Sequence, residues 1–357
     1  MSHRALQAAL VLAQHDPAFI DALHADPDAT LGPLGLDAAE RRALVAVDPR
    51  AFRLDPLRRR RTLRVLAEEY RVATTLALAE TGRLAFAEGF FGSRHFRRAV
   101  VGRVPLALQF GEWLLDAGLG TPQLGDILRL ELAVARCRRE AGQPPAPGVG
   151  LTPGVRVLQL FGGALEAVQR VERWLFEIGL MPQVALCNDA PPLPELPAVG
   201  DGPPLYLLLQ PSANGVALTP IDAELHGGLA ALARPVARAD LARILAPAGV
   251  PAARAESVVR ALLDDGLLTE GAAAAPAAPE LFYDLATPDC ATARRMVLAT
   301  GLTEVVTFRN VHYDRARSDH AARGGSRLPA LWDGALLHQG LADVLAALAR
   351  LAPARER

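Results

Sequence analysis

The chain has 357 residues, enough for two or three domains that each bury their own core. All 38 basic residues are arginine, and the formal net charge of −1 excludes the overall basic field that non-specific nucleic-acid binding needs. No run approaches the roughly 18 apolar residues of a membrane span. The three cysteines are too widely spaced for a metal motif or a disulfide ladder, so we expect a reduced, cytoplasmic protein.

Residues 1–145 carry helical patterns and predict a helix bundle. The pairs Asp16-Pro17 and Asp55-Pro56 each place an N-cap candidate before a proline in the first helical position. Apolar positions recurring every three or four residues predict one long buried stripe, formed by Leu63, Leu66, Tyr70, Thr74 and Leu78. The arginine-rich run at 53–66 is interpreted as a solvated helix face or, alternatively, as a face that docks an acidic partner.

In residues 150–270 the spacing of the apolar residues alternates between strand-like and helical patterns, which predicts a mixed α/β module. The run VRVLQL (155–160) predicts a strand, 163–179 a helix that ends at glycine, and QVALCN (183–188) a second strand. The run LYLLLQPSANGVALTP (205–220) predicts a hairpin, because Asn-Gly is typical of a tight turn between strands.

Three short helices are predicted after this hairpin. The first has Thr219 as its N-cap candidate and Pro220 in its first turn, and the third ends at Gly266, just before a short closing strand. A hairpin, three helices and a strand in this order predict a winged-helix-like unit.

Residues 279–353 predict a third module with the order β-α-β-β-β-α. Its predicted elements are a strand at 281–286, a helix at 291–299, a strand at 304–311, a strand pair within 326–339 turned by Asp333-Gly334, and a helix at 341–351. Proline-rich and alanine-rich linkers at 141–154 and 270–280 separate the three modules, and a third such stretch at 190–204 is interpreted as a long loop.

The segment 216–270 has the pattern of a strand, a capped helix, a short helix and a longer helix ending in LLxxGLL. In this pattern it resembles the peptide chaperone of pyrroloquinoline-quinone biosynthesis and related recognition elements of ribosomally made, modified peptides. The resemblance implies that a precursor's leader adds a strand to the hairpin edge and packs on the third helix. The implied contacts are Val216, Ala217 and Leu218 on the edge and Arg254, Val258 and Leu262 on the helix.

The same outline fits winged helices that bind DNA. A DNA-reading helix would be rich in exposed Arg, Asn or Gln, whereas this helix offers only Arg254 and Arg260 among alanines and valines. The pattern therefore disfavours nucleic acid as the partner.

The N-terminal runs DPAFIDALHADPDATLGPLGLDAAERRALVAVDPRAF (16–52) and FFGSRHFRRAV (90–100) resemble partner subunits of multinuclear non-haem iron oxygenases in peptide-modifying clusters, as in methanobactin biosynthesis. The resemblance implies an oxygenase partner that carries the iron. We expect no metal or cofactor in this chain, because its histidines are isolated from one another and from comparable Asp and Glu ligands.

In the last module, Cys290 lies at a strand-to-helix turn, where a helix N-terminus and the following arginines favour a thiolate and Asp289 opposes it. Pro329 lies just before a predicted strand. In these two features the module resembles thioredoxin and glutaredoxin folds, and the resemblance implies a cis proline at Pro329. Ala293 replaces the second cysteine, so either the site is vestigial and the domain docks partners, or Cys290 acts as a monothiol through glutathione.

Taken as a whole, the sequence predicts an α+β multidomain protein with an N-terminal helical bundle, a winged-helix-like middle module and a C-terminal thioredoxin-like domain. The expected function is that of a non-catalytic partner that binds a precursor peptide and presents it to an iron-dependent oxygenase. Two alternatives stay open: a monothiol thioredoxin-like oxidoreductase, and a winged-helix regulator in which Cys290 senses redox state.

Overall fold

The computed structural model describes residues 3–55, 57–179, 181–200, 202–271, 279–334 and 336–351. The protein is α+β and divides into two compact units, Met1–Gly271 and Ala272–Arg357. This division falls inside the linker predicted at 270–280. Within the described ranges, every helix is too short or too polar to cross a membrane.

The first unit begins with a run of helices, as predicted. They are α1 (His3–His15), α2 (Pro17–Ala25), α3 (Pro27–Leu31), α4 (Ala38–Val45), α5 (Arg58–Glu69), α6 (Arg71–Thr81), α7 (Leu84–Glu88), α8 (Arg94–Gly102), α9 (Leu106–Asp116) and α10 (Leu124–Glu140). Asp16 caps α2 by accepting a 3.0 Å hydrogen bond from the backbone N–H of Ala18. The second predicted cap involves Pro56, which lies outside the described residues, and α5 begins at Arg58.

The predicted stripe is buried along its whole length, but it belongs to two helices. Tyr70 separates α5 from α6 with non-helical backbone angles, φ −119° and ψ 53°. Its hydroxyl donates a 2.8 Å hydrogen bond to the carbonyl of Ala107, and it lies against Gly111, where a Cβ would come within 2.5 Å of that hydroxyl. The helix therefore breaks where a tyrosine packs against a glycine of α9, a contact that periodicity does not encode.

The rest of the first unit is mixed. Its elements are β1 (Gly148–Leu151), β2 (Arg156–Leu160), α11 (Ala164–Ile178), β3 (Leu205–Ser212), β4 (Gly215–Ile221), α12 (Ala223–Ala231), α13 (Leu241–Leu245), α14 (Ala252–Asp264) and β5 (Leu268–Gly271). Strands β2, β3 and β4 form an antiparallel sheet in that order, and β1 pairs antiparallel with β5. The strand predicted at 155–160, the helix at 163–179 and the hairpin are confirmed.

Three expectations for this region are wrong. The strand predicted at 183–188 is a 3-10 helix, Pro182–Leu186, in which the leading proline supplies a fixed φ that suits a helical first position. Thr219 and Pro220 continue β4, and the cap of α12 is Asp222, which accepts a 2.7 Å bond from the N–H of Leu225. Finally, the linker predicted at 141–154 contains β1.

The three-stranded sheet lies between two hydrophobic cores. Because side chains alternate along a strand, Leu207 and Leu209 of β3 join the core of the helical region, while Leu208 joins the core built with α12, α13 and α14. One sheet therefore serves both the helical and the mixed parts of the first unit.

The second unit contains β6 (Glu280–Tyr283), α15 (Pro288–Ala299), β7 (Thr307–Asn310), α16 (Asp314–Ala322), β8 (Ala330–Trp332), β9 (Leu337–Gln339) and α17 (Leu341–Leu351). The sheet order is β7-β6-β8-β9, with β6 and β7 parallel and the other pairs antiparallel. The loop predicted between β7 and β8 contains α16, so the observed order is β-α-β-α-β-β-α. The Leu328–Pro329 bond is cis.

Candidate functional site

Strand β4 forms an edge of the three-stranded sheet. In the part of the chain that the structure describes, β4 pairs only with β3. The register places Leu218 opposite Leu209, Val216 opposite Pro211, and Pro220 opposite Leu207. The other side of β4 is therefore available to a further strand, provided that its backbone groups point outward.

The register identifies which backbone groups point outward. In an antiparallel pair, alternate residues exchange ladder hydrogen bonds, and a proline cannot donate one. Pro211 pairs with Val216 and Pro220 is two residues beyond Leu218, so Val216 and Leu218 belong to the pairs that do not exchange ladder hydrogen bonds. The two-residue turn leads to the same assignment, because its closing pair, Ser212 and Gly215, is a hydrogen-bonded one. The N–H and C=O groups of Val216 and Leu218 therefore face away from β3.

Ala217, by the same alternation, directs its N–H and C=O groups toward Gln210 of β3. Of the three residues predicted for peptide pairing, two thus present free backbone groups, and Ala217 contributes to the hairpin itself. The turn and the prolines in the sequence could locate this edge. Which of its backbone N–H groups point outward could be decided only from the pairing of β4 with β3.

Leu218 also lines a groove, hereafter the Leu218 groove, with a volume of about 480 Å³. Its side chain is 39% exposed. Helices α10 and α11 supply the rest of an apolar wall, formed by Leu130, Val134, Leu165 and Val168. Charged side chains from the end of α5, the start of α6, α10 and α11 complete the lining. The groove thus combines an aliphatic wall with ionic groups beside an unpaired strand.

Glu131 is the residue of this groove that sequence reasoning missed. Its two carboxylate oxygens accept hydrogen bonds from the backbone N–H groups of Val72 and Ala73, both 3.0 Å long. These donors belong to the first turn of α6, which starts after the break at Tyr70 and has no side-chain cap from its own N-cap residue. Because Glu131 lies 59 positions from Val72, no local motif could have identified it.

Burial raises the pKa of Glu131 to about 8. The like charge of Glu172 raises it further, whereas the two backbone N–H donors and the guanidinium of Arg71 lower it. Near neutral pH, Glu131 therefore exists in both the protonated and the ionised form, and a positive charge placed beside it would favour the ionised form.

The helix residues implied by the resemblance do not join this groove. Arg254 is exposed at the start of α14, Val258 is partly buried, and Leu262 belongs to the core shared with α12 and α13. Of the six residues predicted for peptide binding, Leu218 alone lines the Leu218 groove. Strand β4 lies at the edge of its sheet, and the three α14 residues lie outside the lining of the Leu218 groove.

Cys290 lies in the first turn of α15 and is fully buried. Burial raises the pKa of its thiol, and the carboxylates of Asp284 and Asp289 raise it further. The backbone N–H of Asp284, 3.5 Å from Sγ, lowers the pKa without reversing the shift. The expected stabilisation of a thiolate at this helix N-terminus is thus outweighed by burial.

The surroundings of Cys290 also differ from the expectation. Arg294 stacks over the ring of Tyr283 at 4.7 Å, so its guanidinium is engaged in a cation–π contact. Pro329 directly precedes β8, whose Ala330 pairs with Phe282 of β6. Ala293, which replaces a second cysteine, is buried in the core of the second unit.

Metal ligands do not cluster in the described residues. No group of three or more His, Cys, Asp or Glu side chains in these ranges has the arrangement to hold a metal ion. Individual histidines instead pair with single carboxylates: Nε2 of His95 lies 2.9 Å from Asp116, and Nε2 of His338 lies 2.7 Å from Asp333.

The arginine-rich run forms the outer part of α5. Arg59 pairs with Glu88 at 3.1 Å and Arg64 with Glu68 at 3.1 Å. Leu57, before Arg59, and Val65, after Arg64, are exposed. The face is therefore partly neutralised by its own ion pairs.

Comparison of the chain with models of known protein families and with curated proteins finds no match. The geometry of the β4 edge, the Leu218 groove and the Cys290 turn is accordingly the basis for assigning a function.

Proposed function

We propose that this chain is the peptide-binding partner subunit of an iron-dependent oxygenase. It holds an extended segment of a ribosomally synthesised precursor peptide on β4 and presents that peptide for modification, while the iron belongs to the partner. The observation that carries this proposal is the row of outward backbone groups at Val216 and Leu218, which can pair with an added strand beside the Leu218 groove.

The order of elements around this edge supports the proposal. The β3–β4 hairpin is followed by α12, α13, α14 and β5, which is the order expected for a winged-helix-like recognition element. A free edge of this kind is a hazard unless it is short, interrupted or used, and Pro220 limits β4 to two outward-facing donors. A short pairing segment flanked by a groove suits a peptide better than a complete sheet edge.

The second unit fits the role of a docking domain. Its β-α-β-α-β-β-α order supports the thioredoxin-like domain that the sequence resemblance implied. A monothiol enzyme needs an accessible thiolate, whereas Cys290 is fully buried with a raised pKa. We therefore assign the second unit to contact with the partner and not to thiol exchange.

Peptide selection from a random library tests strand addition without knowledge of the natural precursor. We would select random dodecapeptides by mRNA display on the full-length protein and measure the Kd of fluorescein-labelled winners by anisotropy. Leu218→Pro removes one outward N–H and leaves the β3 ladder intact, so it should weaken binding about tenfold or more. Leu218→Ala is the matched control, because it trims the side chain and keeps the N–H.

The two variants separate a backbone contact from a side-chain contact. Strand addition requires that Leu218→Pro weaken binding clearly more than Leu218→Ala does, with both variants folded by circular dichroism. Selected peptides that bind Leu218→Pro as tightly as the wild type, or a selection that yields no binder, would count against β4 as the binding site.

A further inference from the structure

The Leu218 groove has a defined relation to any strand added on β4. Directly paired residues of neighbouring strands direct their side chains to the same face of the sheet, with Cβ atoms about 4.5–5.5 Å apart. A peptide residue paired with Leu218 on its outer side would therefore direct its side chain to the face on which Leu218 lines the groove. The groove is thus placed to select one residue of the peptide.

The lining restricts which side chain fits. Five apolar residues form one wall: Leu130, Val134, Leu165, Val168 and Leu218. Glu131 and Glu172 lie among the polar lining, and their like charges act on each other, since Glu172 raises the pKa of Glu131. Glu68 and Glu69, also in the lining, already pair with Arg64 at 3.1 Å and Arg139 at 2.6 Å. Glu172 forms no ion pair among the described residues, and each oxygen of Glu131 keeps a lone pair beyond the one that accepts from Val72 or Ala73. These two carboxylates can therefore still accept a hydrogen bond from a ligand.

Each other class of side chain meets a physical obstacle. A purely apolar side chain would bury polar groups of the lining without giving them a partner. An acidic side chain would join a lining that already holds four carboxyl groups, Glu68, Glu69, Glu131 and Glu172, against the two guanidinium groups of Arg71 and Arg138. Arginine and lysine have a long aliphatic stem that can lie on the apolar wall and a cationic head that can reach the carboxylates.

We propose that the Leu218 groove binds the arginine or lysine side chain of the peptide residue that pairs with Leu218, with the cationic head between Glu131 and Glu172. This inference rests on strand addition at β4, and it names the chemical class of residue that the site reads. It makes the site specific for an extended segment with a basic residue at one fixed position.

A double-mutant cycle with the display-selected peptides tests this specificity. We expect arginine or lysine to be enriched at one position of the peptides selected by the wild-type protein. Replacing that residue by glutamine should weaken binding about fourfold to the wild type and less than twofold to Glu172→Gln, since exposed ion pairs contribute modestly. Glu172 is exposed and caps no helix, so its replacement should leave the fold intact.

Glu177→Gln serves as the matched control, because Glu177 is an exposed glutamate of the same helix outside the groove lining. In the Glu177→Gln variant, replacing the basic peptide residue by glutamine should still weaken binding about fourfold. Two outcomes would overturn this inference and leave strand addition standing. In the first, the selected peptides are sensitive to Leu218→Pro but show no preference for a basic residue. In the second, replacing the basic residue by glutamine weakens binding to Glu172→Gln as much as it weakens binding to the wild type. Peptides insensitive to Leu218→Pro would instead remove strand addition, and this inference with it.

Discussion

The β4 edge and the turn that carries Cys290 differ in accessibility: the backbone groups of the first are exposed, and the thiol of the second is buried. At β4, the sheet ends and leaves the backbone groups of Val216 and Leu218 facing outward beside a groove. At Cys290, a thiol placed in the first turn of a helix is enclosed by the core of its unit. A reactive group can act only where packing leaves it accessible, so the first region is the stronger candidate for function.

The largest expected effect is a difference in reactivity between the exposed and the buried thiols. Of the three cysteines, Cys187 is exposed, whereas Cys137 and Cys290 are buried and burial raises the pKa of both. In the native protein at pH 8, a disulfide reagent such as DTNB should therefore modify one thiol at least ~100-fold faster than the other two. Stopped-flow absorbance measures the phases, and Cys187→Ser should remove the fast one.

A fast phase that survives Cys187→Ser and disappears in Cys290→Ala would reverse the comparison. Cys290 would then be reachable in solution, and the monothiol alternative would regain support.

Proline substitution at neighbouring positions sharpens the description of the edge. Ala217→Pro removes a donor directed at Gln210 and should lower the free energy of unfolding by about 1–3 kcal/mol, because the carbonyl of Gln210 loses its ladder bond. Leu218→Pro removes an outward donor and should cost less than about 1 kcal/mol. The two substitutions differ by one position and should differ clearly in stability.

Urea unfolding can report on the first unit alone. The chain has three tryptophans, and Trp332→Phe leaves only Trp113 and Trp174, both in the first unit. A larger destabilisation by Leu218→Pro than by Ala217→Pro in this background would mean that the ladder phase is misassigned and that Ala217 is on the outward side.

Local sequence chemistry predicted the elements around the edge well. The Asn-Gly signal located the hairpin to within one residue, because the two turn residues are Ala213 and Asn214 and Gly215 already pairs with Ser212. Gly179 and Gly266 marked where α11 and α14 stop. It failed where two local interpretations were both possible: Thr219-Pro220 suits a helix start as well as an edge strand, and only pairing with β3 decides between them.

The remainder depended on contacts between distant parts of the chain. The break at Tyr70 lies where this side chain packs against Gly111, and the first backbone N–H groups of α6 find their acceptors on Glu131. A periodic pattern cannot report these effects, because each is decided by residues that are far apart in sequence.

The pH dependence of peptide binding tests the role of Glu131. Burial places the pKa of Glu131 near 8, so raising the pH from 7 to 9 ionises it and strengthens attraction for a cation. The Kd of an arginine-containing selected peptide should fall about two- to threefold over this range, while its glutamine analogue should change little. The other charged groups that face the groove are Glu68, Glu69, Arg71, Arg138 and Glu172.

Anisotropy titrations at three pH values measure this effect on both peptides. Glu131→Gln should abolish the difference in pH dependence between the arginine and glutamine peptides, provided that circular dichroism shows that α6 keeps its helical structure without the carboxylate. An equal pH trend for the arginine and glutamine peptides would assign the titration to some other group.

The smallest expected effect returns to Cys290. If the second unit serves as a docking surface, Cys290→Ala should change the Kd of the selected peptides by less than about 1.5-fold, because the thiol is fully buried. Alanine is the suitable replacement, since a serine hydroxyl would be buried in an apolar site and could unfold the unit for unrelated reasons. The variant must retain native circular dichroism, and its anisotropy titration is compared with that of the wild type under reducing and oxidising conditions. A dependence of peptide affinity on oxidation that the wild type shows and Cys290→Ala lacks would establish a redox role for this thiol and return the Cys290 turn to the functional part of the molecule.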